Sequence, residues 1–469
     1  MYIKSCSRSV RSTLLLLAVL LFVLTVPVFG AAEAGPPKYV FYFIGDGMGI
    51  AQRQSAEYFK QVQEGNPDAK LLMNTFPVAG LITTHSANDT LITDSAAAGT
   101  ALATGFKTLN GMLSKLPDGK NVKTLVEAAE EKGMATGIIS TTRLTHATPA
   151  AFASHNVSRD NENEIAEDLL DSGVDFLAGG GYGQFVPKNG PLKSNRKDNR
   201  NLLEEFKNKG YNLFVTENEV TNFKNYQPDN PQKVLACFTY SYLPYEIDRV
   251  NSKSPLPSLA EIAEKGIEVL SKYQKGFFMM VEGGRIDLAC QMNDARRSIQ
   301  ETLAFDQAIA KAYEFYKKYP NETLILVLAD HETGGMALGY GTNGFLNIKT
   351  LLDATNYKKD YVKHYTGDRI AYFTYIEQDL GLINLKEDEK AKIERAMDGV
   401  EKSGDQLQIY IAIQNVLSNR AGIAWTTLGH TGSCVPISAV GVEAQKFGGF
   451  KDNTEIAKTL AILMNFHLN

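Results

Sequence analysis

Three continuous apolar runs, each followed at once by acidic residues, constrain the fold of this chain more than any other feature. The runs and the side chains that follow them are residues 39–44 with Asp46, residues 276–281 with Glu282 and Asp287, and residues 324–329 with Asp330 and His331. A run that is apolar at every position is typical of a strand buried on both faces of a parallel sheet. Amphipathic segments between the runs predict helices, so we expect an α/β protein with a mostly parallel sheet sandwiched between helices and carrying surface insertions.

The acidic residues after these runs predict a metal site. The carboxyl ends of parallel strands meet at one edge of a sheet, where such folds bind their ligands. A single carboxylate there could be an ordinary surface group, but Asp46, Glu282 and Asp330 together would repel one another unless cations lay between them. Oxygen with imidazole, as in Asp330 with His331, suits Zn²⁺, and a site of oxygens alone suits Mg²⁺.

Residues 91–101 (LITDSAAAGTA) predict a turn into the N-terminus of a helix, with Ser95 in or near the first turn. Free backbone amides and the positive end of the helix dipole favour an anion at such a place. Ser95 could be only the N-cap of this helix. It could also be a nucleophile, which requires activation. Since the sequence places no histidine beside it, a metal ion is the first candidate for that activation.

The N-terminal residues predict a targeting signal rather than part of the fold. Lys4, Arg8 and Arg11 precede an apolar run at residues 14–26, and the small-residue pattern at residues 32–34 fits a cleavage site. We therefore expect a signal peptide at residues 1–34 and a secreted or periplasmic protein without a stable membrane span once the signal is cleaved. An uncleaved anchor is the alternative, although the run is short for a span.

Composition adds two limits to the function of the 469-residue chain. The net charge of −5 gives no electrostatic reason to expect nucleic-acid binding. After the signal, only Cys237, Cys290 and Cys434 remain, so at most one disulfide can form within the chain.

Two segments interrupt the alternation of strands and helices in the expected catalytic domain, residues 35–469. Residues 182–235 are polar and rich in Asn and Lys, and we expect them to be surface elaboration. Residues from about 343 to 420 include charged, helix-favouring stretches and predict an insertion. Long helices are expected at about 294–319 and 453–464.

Six short motifs follow one another along the chain: residues 45–49 (GDGMG), 93–97 (TDSAA), 146–150 (HATPA), 282–287 (EGGRID), 329–331 (ADH) and 429–432 (GHTG). In content and order they resemble the motifs of the alkaline phosphatase family, and the resemblance covers nearly the whole mature chain. The ordered set is specific, whereas each motif alone would be a weak signal. The resemblance implies metal-dependent hydrolysis of small phosphate monoesters.

The resemblance also implies the catalytic group. Ser95 would be the nucleophile and would be phosphorylated during turnover. A metal ion, usually zinc, would be bound by Asp46, Asp330 and His331 and would activate the Ser95 oxygen, which faces it. Arg159, by its position after residues 154–158, matches the arginine that clamps the phosphate, a task suited to its bidentate guanidinium.

A second implied site is of the magnesium type. It would use Asp46, Thr148 and Glu282, with His146 reaching it directly or through water and favouring zinc there. The resemblance thus implies one or two Zn²⁺ and one Mg²⁺ in all. It also implies a possible homodimer, although no part of the sequence indicates a dimer face.

The remaining zinc site departs from the family pattern. The family uses Asp287, His430 and a histidine four residues after the aspartate, but this chain has Gln291 at that position. A glutamine carbonyl is a harder and neutral donor, so we expect this site to be weak, differently metallated or empty, with slow dephosphorylation. A phosphodiesterase or sulfatase of the same architecture, and a phosphate-binding homologue without efficient turnover, remain alternatives.

Overall fold

The computed structural model of the protein describes residues 35–89, 91–341, 344–353, 361–380 and 382–468. The expected signal peptide, residues 1–34, lies outside the described residues. Within the described part of the chain, no helix has both the length and the apolar character needed to cross a bilayer.

The strands of the main sheet are β1 (Tyr39–Ile44), β2 (Val78–Thr83), β3 (Ala135–Arg143), β4 (Phe176–Gly180), β5 (Tyr211–Val215), β6 (Lys233–Cys237), β7 (Phe277–Glu282), β8 (Thr323–Leu328), β13 (Val435–Gly441) and β14 (Gly449–Asp452). Across the sheet they lie in the order β14-β2-β13-β8-β1-β7-β3-β4-β6-β5. Short pairs outside it are formed by β9 (Glu332–Thr333) with β12 (His430–Thr431) and by β10 (Ala337–Leu338) with β11 (Ile423–Ala424).

Helices occupy most of the connections between these strands. They are α1 (Ile50–Glu64), α2 (Ser95–Thr104), α3 (Leu125–Glu131), α4 (Ala147–Ala150), α5 (Glu162–Asp171), α6 (Leu202–Asn208), α7 (Val220–Asn225), α8 (Glu246–Asn251), α9 (Leu259–Leu270), α10 (Arg285–Cys290), α11 (Ala295–Lys318), α12 (Lys349–Asp353), α13 (Arg369–Asp379), α14 (Glu387–Ser403), α15 (Leu407–Arg420) and α16 (Asn453–Met464). The expected α/β fold, a mostly parallel sheet sandwiched between helices, is confirmed.

The three strands expected from the apolar runs lie side by side in the middle of the sheet. β1 pairs in parallel with β7 on one side and with β8 on the other, so that Ile44 is level with Glu282 and with Leu328. All three strands are buried at every position. Their parallel alignment brings the carboxyl ends of all three to one edge of the sheet. Among the strands that the structure describes in the main sheet, β13 alone runs opposite to the others, antiparallel to its neighbours β2 and β8.

The expectation that residues 182–235 are only surface elaboration is wrong. This segment supplies β5 and β6, which extend the main sheet beyond β4 in parallel pairing. Val234, Leu235 and Ala236 are fully buried. The strands are short, and the polar loops around them dominate the composition of the segment.

The residues of the expected insertion form a separate apolar cluster. Tyr361, Tyr372, Ile376, Ile393 and Ile413 are buried against one another, outside the main core. The long helix at 294–319 is present as α11, where Asp294 caps the N-terminus and Lys317 and Lys318 lie in the last turn. The three described cysteines, Cys237, Cys290 and Cys434, are free thiols.

Candidate active site

Asp46 lies in the glycine turn that ends β1, at the carboxyl edge of the sheet. Gly47 has a positive φ of 73°, and a Cβ atom on it would lie 2.9 Å from both Asp287 Cα and Thr333 Oγ1. Only glycine lets the backbone pass this close in this conformation. The Gly47 amide donates to Asp330 Oδ1 at 3.2 Å, so the turn joins the end of β1 to the residues after β8.

Ser95 is the first residue of α2 and is buried. The N-cap is Asp94 rather than Ser95, because Asp94 Oδ1 accepts from the Ala97 amide at 2.9 Å. The Ser95 hydroxyl is therefore not used in capping. Its Oγ lies 3.2 Å from His331 Nε2, which places it against the residues that follow β8.

Asp46, Asp330 and His331 form the first of three groups whose possible ligand atoms lie within 4.8 Å of one another. His331 Nε2 is 3.5 Å from Asp46 Oδ1 and 3.3 Å from Asp330 Oδ2. All three side chains are fully buried. The Ser95 hydroxyl contacts the same nitrogen, so the expected nucleophile and the expected zinc ligands come together in the structure.

Asp46, His146 and Glu282 form the second group. Thr148 lies beside it, with its Oγ1 3.5 Å from Asp46 Oδ2 and 3.5 Å from Asp330 Oδ2. Thr148 belongs to the short helix α4, which follows the loop after β3. Asp46 and Asp330, which belong to the first group, thus also border the expected magnesium site.

Several buried atoms of the second group are not satisfied by the protein. Glu282 Oε2 accepts from the hydroxyls of Ser140 and Thr142. Asp46 Oδ1, His146 Nδ1 and Glu282 Oε1 are buried and have no hydrogen-bond partner among the described residues. A buried polar atom left in this way costs about 1–3 kcal/mol, which a bound cation would offset. These residues therefore fit a metal site.

Asp287, His331 and His430 form the third group. His430 Nε2 is 3.5 Å from Asp287 Oδ1, while His430 Nδ1 is 2.9 Å from the Thr93 carbonyl oxygen. The rings of His331 and His430 stack with centroids 3.7 Å apart. Gln291 lies at the end of α10, one turn after Asp287, and its Nε2 donates to Asp287 Oδ2 at 2.7 Å.

Arg159 lies close to the nucleophile. Its Nη1 donates to Asp94 Oδ2 at 3.0 Å, and its Nη2 is 3.3 Å from His146 Nε2. The Arg159 amide also donates to the Gly111 carbonyl at 2.7 Å, and the Gly111 amide donates to Asp94 Oδ2 at 3.0 Å. Asp94 therefore fixes both the helix that begins with Ser95 and the guanidinium expected to bind phosphate.

Burial dominates the electrostatics of the site. It raises the pKa of Asp46 well above the usual range, and the carboxylates of Asp330, Asp287 and Glu282 add to this shift. Burial also raises the pKa of Glu282 to about 7 and that of Asp330 to about 6. Burial of the His331 ring lowers its pKa well below the usual range. Burial and mutual repulsion thus favour protonated carboxyls and a neutral imidazole. A cation between the carboxyls would favour their ionised form.

Sequence reasoning did not predict several side chains that support these groups. Thr333 Oγ1 donates to Asp287 Oδ1 at 2.6 Å and lies 3.2 Å from His331 Nδ1. Ser140 and Thr142, at the carboxyl end of β3, hold Glu282. The sequence could have indicated these two residues, because they lie at the end of an apolar strand that meets the same edge of the sheet. The contact of Thr333 depends on the fold of the β9–β12 pair and has no such signal.

The fold and the site together describe an α/β protein with a serine at a helix N-terminus beside carboxylate and imidazole side chains that could hold metal ions. Comparison with known proteins narrows this class. The family model described as alkaline phosphatase matches residues 37–466. Alkaline phosphatase 3 of Bacillus subtilis is 36% identical over 445 residues, which are 92% of this chain and 90% of the relative.

Solved structures agree with the sequence comparison. The cold-active alkaline phosphatase of a psychrophilic Shewanella matches with a TM-score of 0.76 and 30% identity, covering 91% of this chain and 99% of the other. A histidine-to-aspartate variant of the TAB5 alkaline phosphatase, with Mg bound in its M3 site, matches with a TM-score of 0.66 and 25% identity and covers 93% of this chain and all of that one. The chain belongs to the alkaline phosphatase family. It is a phosphatase that hydrolyses phosphate monoesters, and the family is metal-dependent.

Proposed function

We propose that the enzyme hydrolyses small phosphate monoesters in two displacements through a phosphoserine intermediate on Ser95. The observation that carries the proposal is the placement of the Ser95 hydroxyl. It is buried at the first residue of α2, 3.2 Å from His331 Nε2. It also directly follows Asp94, the carboxylate that holds Arg159. Nucleophile, ligand set and phosphate-binding group therefore lie together.

Arg159 and the N-terminus of α2 bind the phosphoryl group in this proposal. The guanidinium offers a fork of donors that matches two phosphate oxygens, as expected for the dianionic end of a monoester. Free amides at the start of a helix favour the same anion. The Asp94 contact keeps the guanidinium in place before substrate arrives, which reduces the entropic cost of binding.

Two in-line displacements complete the reaction. Ser95 Oγ loses its proton and attacks phosphorus, the bond to the alcohol oxygen breaks, and that oxygen takes up a proton as the alcohol leaves. Water then attacks phosphorus opposite Ser95 Oγ and loses a proton, the bond to Oγ breaks, and Oγ is protonated again as inorganic phosphate leaves. Two inversions give net retention of configuration at phosphorus.

The donor sets indicate which ions the site would hold. Asp46, Asp330 and His331 would hold Zn²⁺, and Asp287 with His430 would hold a second Zn²⁺. Mg²⁺ would take the oxygens of Asp46, Thr148 and Glu282. His146 is a neighbour of this site, and its imidazole would favour zinc there. Bound ions would supply Lewis acidity to the serine oxygen, the departing oxygen and the attacking water. The Mg-containing TAB5 structure supports a magnesium site in this family.

Turnover of p-nitrophenyl phosphate with added Zn²⁺ and Mg²⁺ tests the proposal. Replacing Ser95 with Ala removes the nucleophile, and we expect kcat to fall at least about 10³-fold. Ser271→Ala, at an exposed serine after α9, is the matched control and should leave kcat unchanged. Rapid quenching should show a burst of p-nitrophenol in the wild-type enzyme if the phosphoserine accumulates.

Other results would change the assignment. A Ser95→Ala enzyme that keeps its turnover would refute the phosphoserine route. A higher kcat/KM for bis(p-nitrophenyl) phosphate than for the monoester would favour the phosphodiesterase alternative. A wild-type protein that binds phosphate in calorimetry without turnover would favour the phosphate-binding alternative.

We further propose that residues 1–34 direct export and that the mature enzyme is secreted or periplasmic. The basic residues before an apolar run and the small residues at 32–34 support this. N-terminal sequencing of the exported protein should find Gly35 or a neighbour as the first residue. A homodimer is an expectation from the family resemblance, and sedimentation of the purified enzyme tests it.

A further inference from the structure

His331 belongs to two of the three ligand groups, and its ring can serve them only through different nitrogens. Its Nε2 lies 3.2 Å from Ser95 Oγ, 3.3 Å from Asp330 Oδ2 and 3.5 Å from Asp46 Oδ1. This nitrogen therefore faces the Asp46–Asp330 side. Whether His331 can also bind a metal on the Asp287–His430 side depends on whether Nδ1 carries the hydrogen of the neutral ring.

Thr333 decides the position of that hydrogen. Its hydroxyl has a single hydrogen, which it donates to Asp287 Oδ1 at 2.6 Å. Thr333 Oγ1 can then only accept from His331 Nδ1, 3.2 Å away. We therefore assign the hydrogen of the neutral ring to Nδ1, which leaves the lone pair on Nε2. His331 is thereby committed to the Asp46–Asp330 side and is unavailable to the third group.

Two donors remain for the third group, Asp287 and His430. The Thr93 carbonyl accepts from His430 Nδ1, 2.9 Å away, so His430 Nε2 carries the lone pair on the side of Asp287. Both Asp287 oxygens already accept hydrogen bonds, one from Thr333 and one from Gln291. Apart from His331, no third charged or imidazole side chain joins them in this group among the described residues.

Gln291 faces the carboxylate with the wrong end of its amide for metal binding. A carboxylate only accepts hydrogen bonds, so the group 2.7 Å from Asp287 Oδ2 must be the Gln291 N–H. Turning the carbonyl toward an ion would break this hydrogen bond and bring the amide oxygen toward the carboxylate oxygen. Gln291 is therefore placed to hold Asp287 rather than to ligate.

We infer that Asp287 and His430 form a two-ligand zinc site. Gln291 stands where a third ligand would be and instead holds Asp287 through a hydrogen bond. The affinity for zinc is therefore lower at this site than at Asp46, Asp330 and His331. The inference rests on the proposed metal-dependent function and assigns its two zinc sites unequal affinity. Loss of a single outer contact to a metal ligand typically changes affinity about 10–100-fold. The absence of a direct ligand should have at least that effect.

Equilibrium zinc content tests this without any assay of turnover. The full-length mature enzyme is dialysed against a series of buffered free Zn²⁺ concentrations at constant millimolar Mg²⁺, and bound zinc is counted by mass spectrometry of the metal. Wild type should show a tight step and a second step at least about 10-fold weaker. In Gln291→His, the free Zn²⁺ concentration at the midpoint of the second step should be lower by at least that factor.

Gln291→Ala separates a clamp from a ligand. If Gln291 only holds Asp287, its loss removes an outer contact to a ligand, so the alanine variant should bind the second zinc no more than about 100-fold more weakly than wild type. Gln445→His controls for an added histidine, since residue 445 is exposed and follows β13 at the opposite end of the sheet from the site. Its zinc curve should match that of wild type.

Three results would overturn the inference. They are two equally tight zinc steps in wild type, a Gln291→His curve that overlies wild type, and a second step that weakens more than about 100-fold in Gln291→Ala. None of them bears on Ser95, whose role is tested by the turnover of Ser95→Ala. A correct phosphatase assignment with a wrong zinc assignment would therefore be recognised.

Discussion

Asp94 is the residue on which the substrate end of the site depends. One of its oxygens caps α2, and the other accepts from both the Gly111 amide and Arg159. The same carboxylate thus sets the start of the nucleophile's helix and the direction of the guanidinium. Because the ion pair is only partly exposed, it contributes more to positioning than a fully solvated pair would.

Replacing Arg159 with Ala should weaken phosphate binding more than it slows chemistry. Charge-assisted hydrogen bonds contribute about 1.5–3 kcal/mol, so KM and the inhibition constant for inorganic phosphate should rise about 10–100-fold. Steady-state kinetics with phosphate as inhibitor measures both. Arg200→Ala, at an exposed arginine paired with Glu167 and Glu205, is the control. An unchanged phosphate inhibition constant in Arg159→Ala would contradict the assigned role.

The grouping of the proposed ligand residues could be predicted from the sequence because each residue follows an apolar strand or belongs to a dense motif. Asp46, Glu282 and Asp330 are at the ends of strands whose composition leaves little choice of structure. The role of Thr333 was not readable. It depends on the antiparallel pairing that sets Thr333 level with His430, and such a two-residue strand leaves no periodic pattern in sequence.

At the scale of elements, a half-buried carboxyl joins helix α3 to strand β3. Glu130 lies near the end of α3, and its Oε1 accepts from Thr136 Oγ1 of β3 at 2.7 Å. Burial, with a further contribution from Asp175, raises the pKa of Glu130 to about 7 from its ordinary 4.5. The folded protein therefore holds this proton more tightly than the unfolded chain does.

Glu130→Gln should remove a pH dependence of stability. A raised carboxyl pKa adds stability that is fully present below 4.5 and is lost as the pH rises through 7. The variant stays neutral at residue 130. Its free energy of unfolding relative to that of wild type should therefore increase by up to about 3 kcal/mol between about pH 5 and about pH 8. Urea unfolding at both pH values measures this. Glu131→Gln, at the exposed neighbour, should show no such growth, and equal behaviour of the two variants would refute the prediction.

The elements also show where sequence reasoning ended. The closing helix was expected at 453–464 and is found at those residues as α16, because its apolar spacing is regular and Asp452 caps it. β5 and β6 were missed because both are five residues long and are surrounded by Asn- and Lys-rich loops, and β5, at the edge of the sheet, has mixed burial. Their identity as strands comes from the pairing of β6 with β4 and of β5 with β6, which sequence periodicity does not report.

At the scale of the whole molecule, we expect metal binding and folding to be coupled. The proposed ligands lie on β-strand ends, on α10 and on the β12 loop, and they are assembled only in the folded chain. A ligand that binds only the native state stabilises it by about 2.7 kcal/mol at a concentration 100 times its Kd. Neutralising the buried carboxylates contributes to the same effect.

Removal of metal should therefore lower thermal stability. We expect EDTA to decrease the Tm of the purified enzyme, and restoration of Zn²⁺ with Mg²⁺ in excess of EDTA to recover it, as followed by calorimetry. EDTA loaded beforehand with zinc serves as the control for the chelator itself. A Tm that is the same with and without EDTA, in protein shown to have lost its metal, would contradict the coupling.

The central place of β1 has a consequence for how the chain is made. Its two sheet neighbours, β7 and β8, begin 238 and 284 residues after it, at Phe277 and Thr323. A ribosome adds about 5–20 residues per second, so this apolar strand emerges first and waits on the order of ten seconds or more for the segments that will flank it. During that interval its hydrogen-bonding edges are open to other chains. A strand that is buried at every position in the finished enzyme therefore spends this interval without its sheet neighbours, and we expect a chaperone to shield it during synthesis.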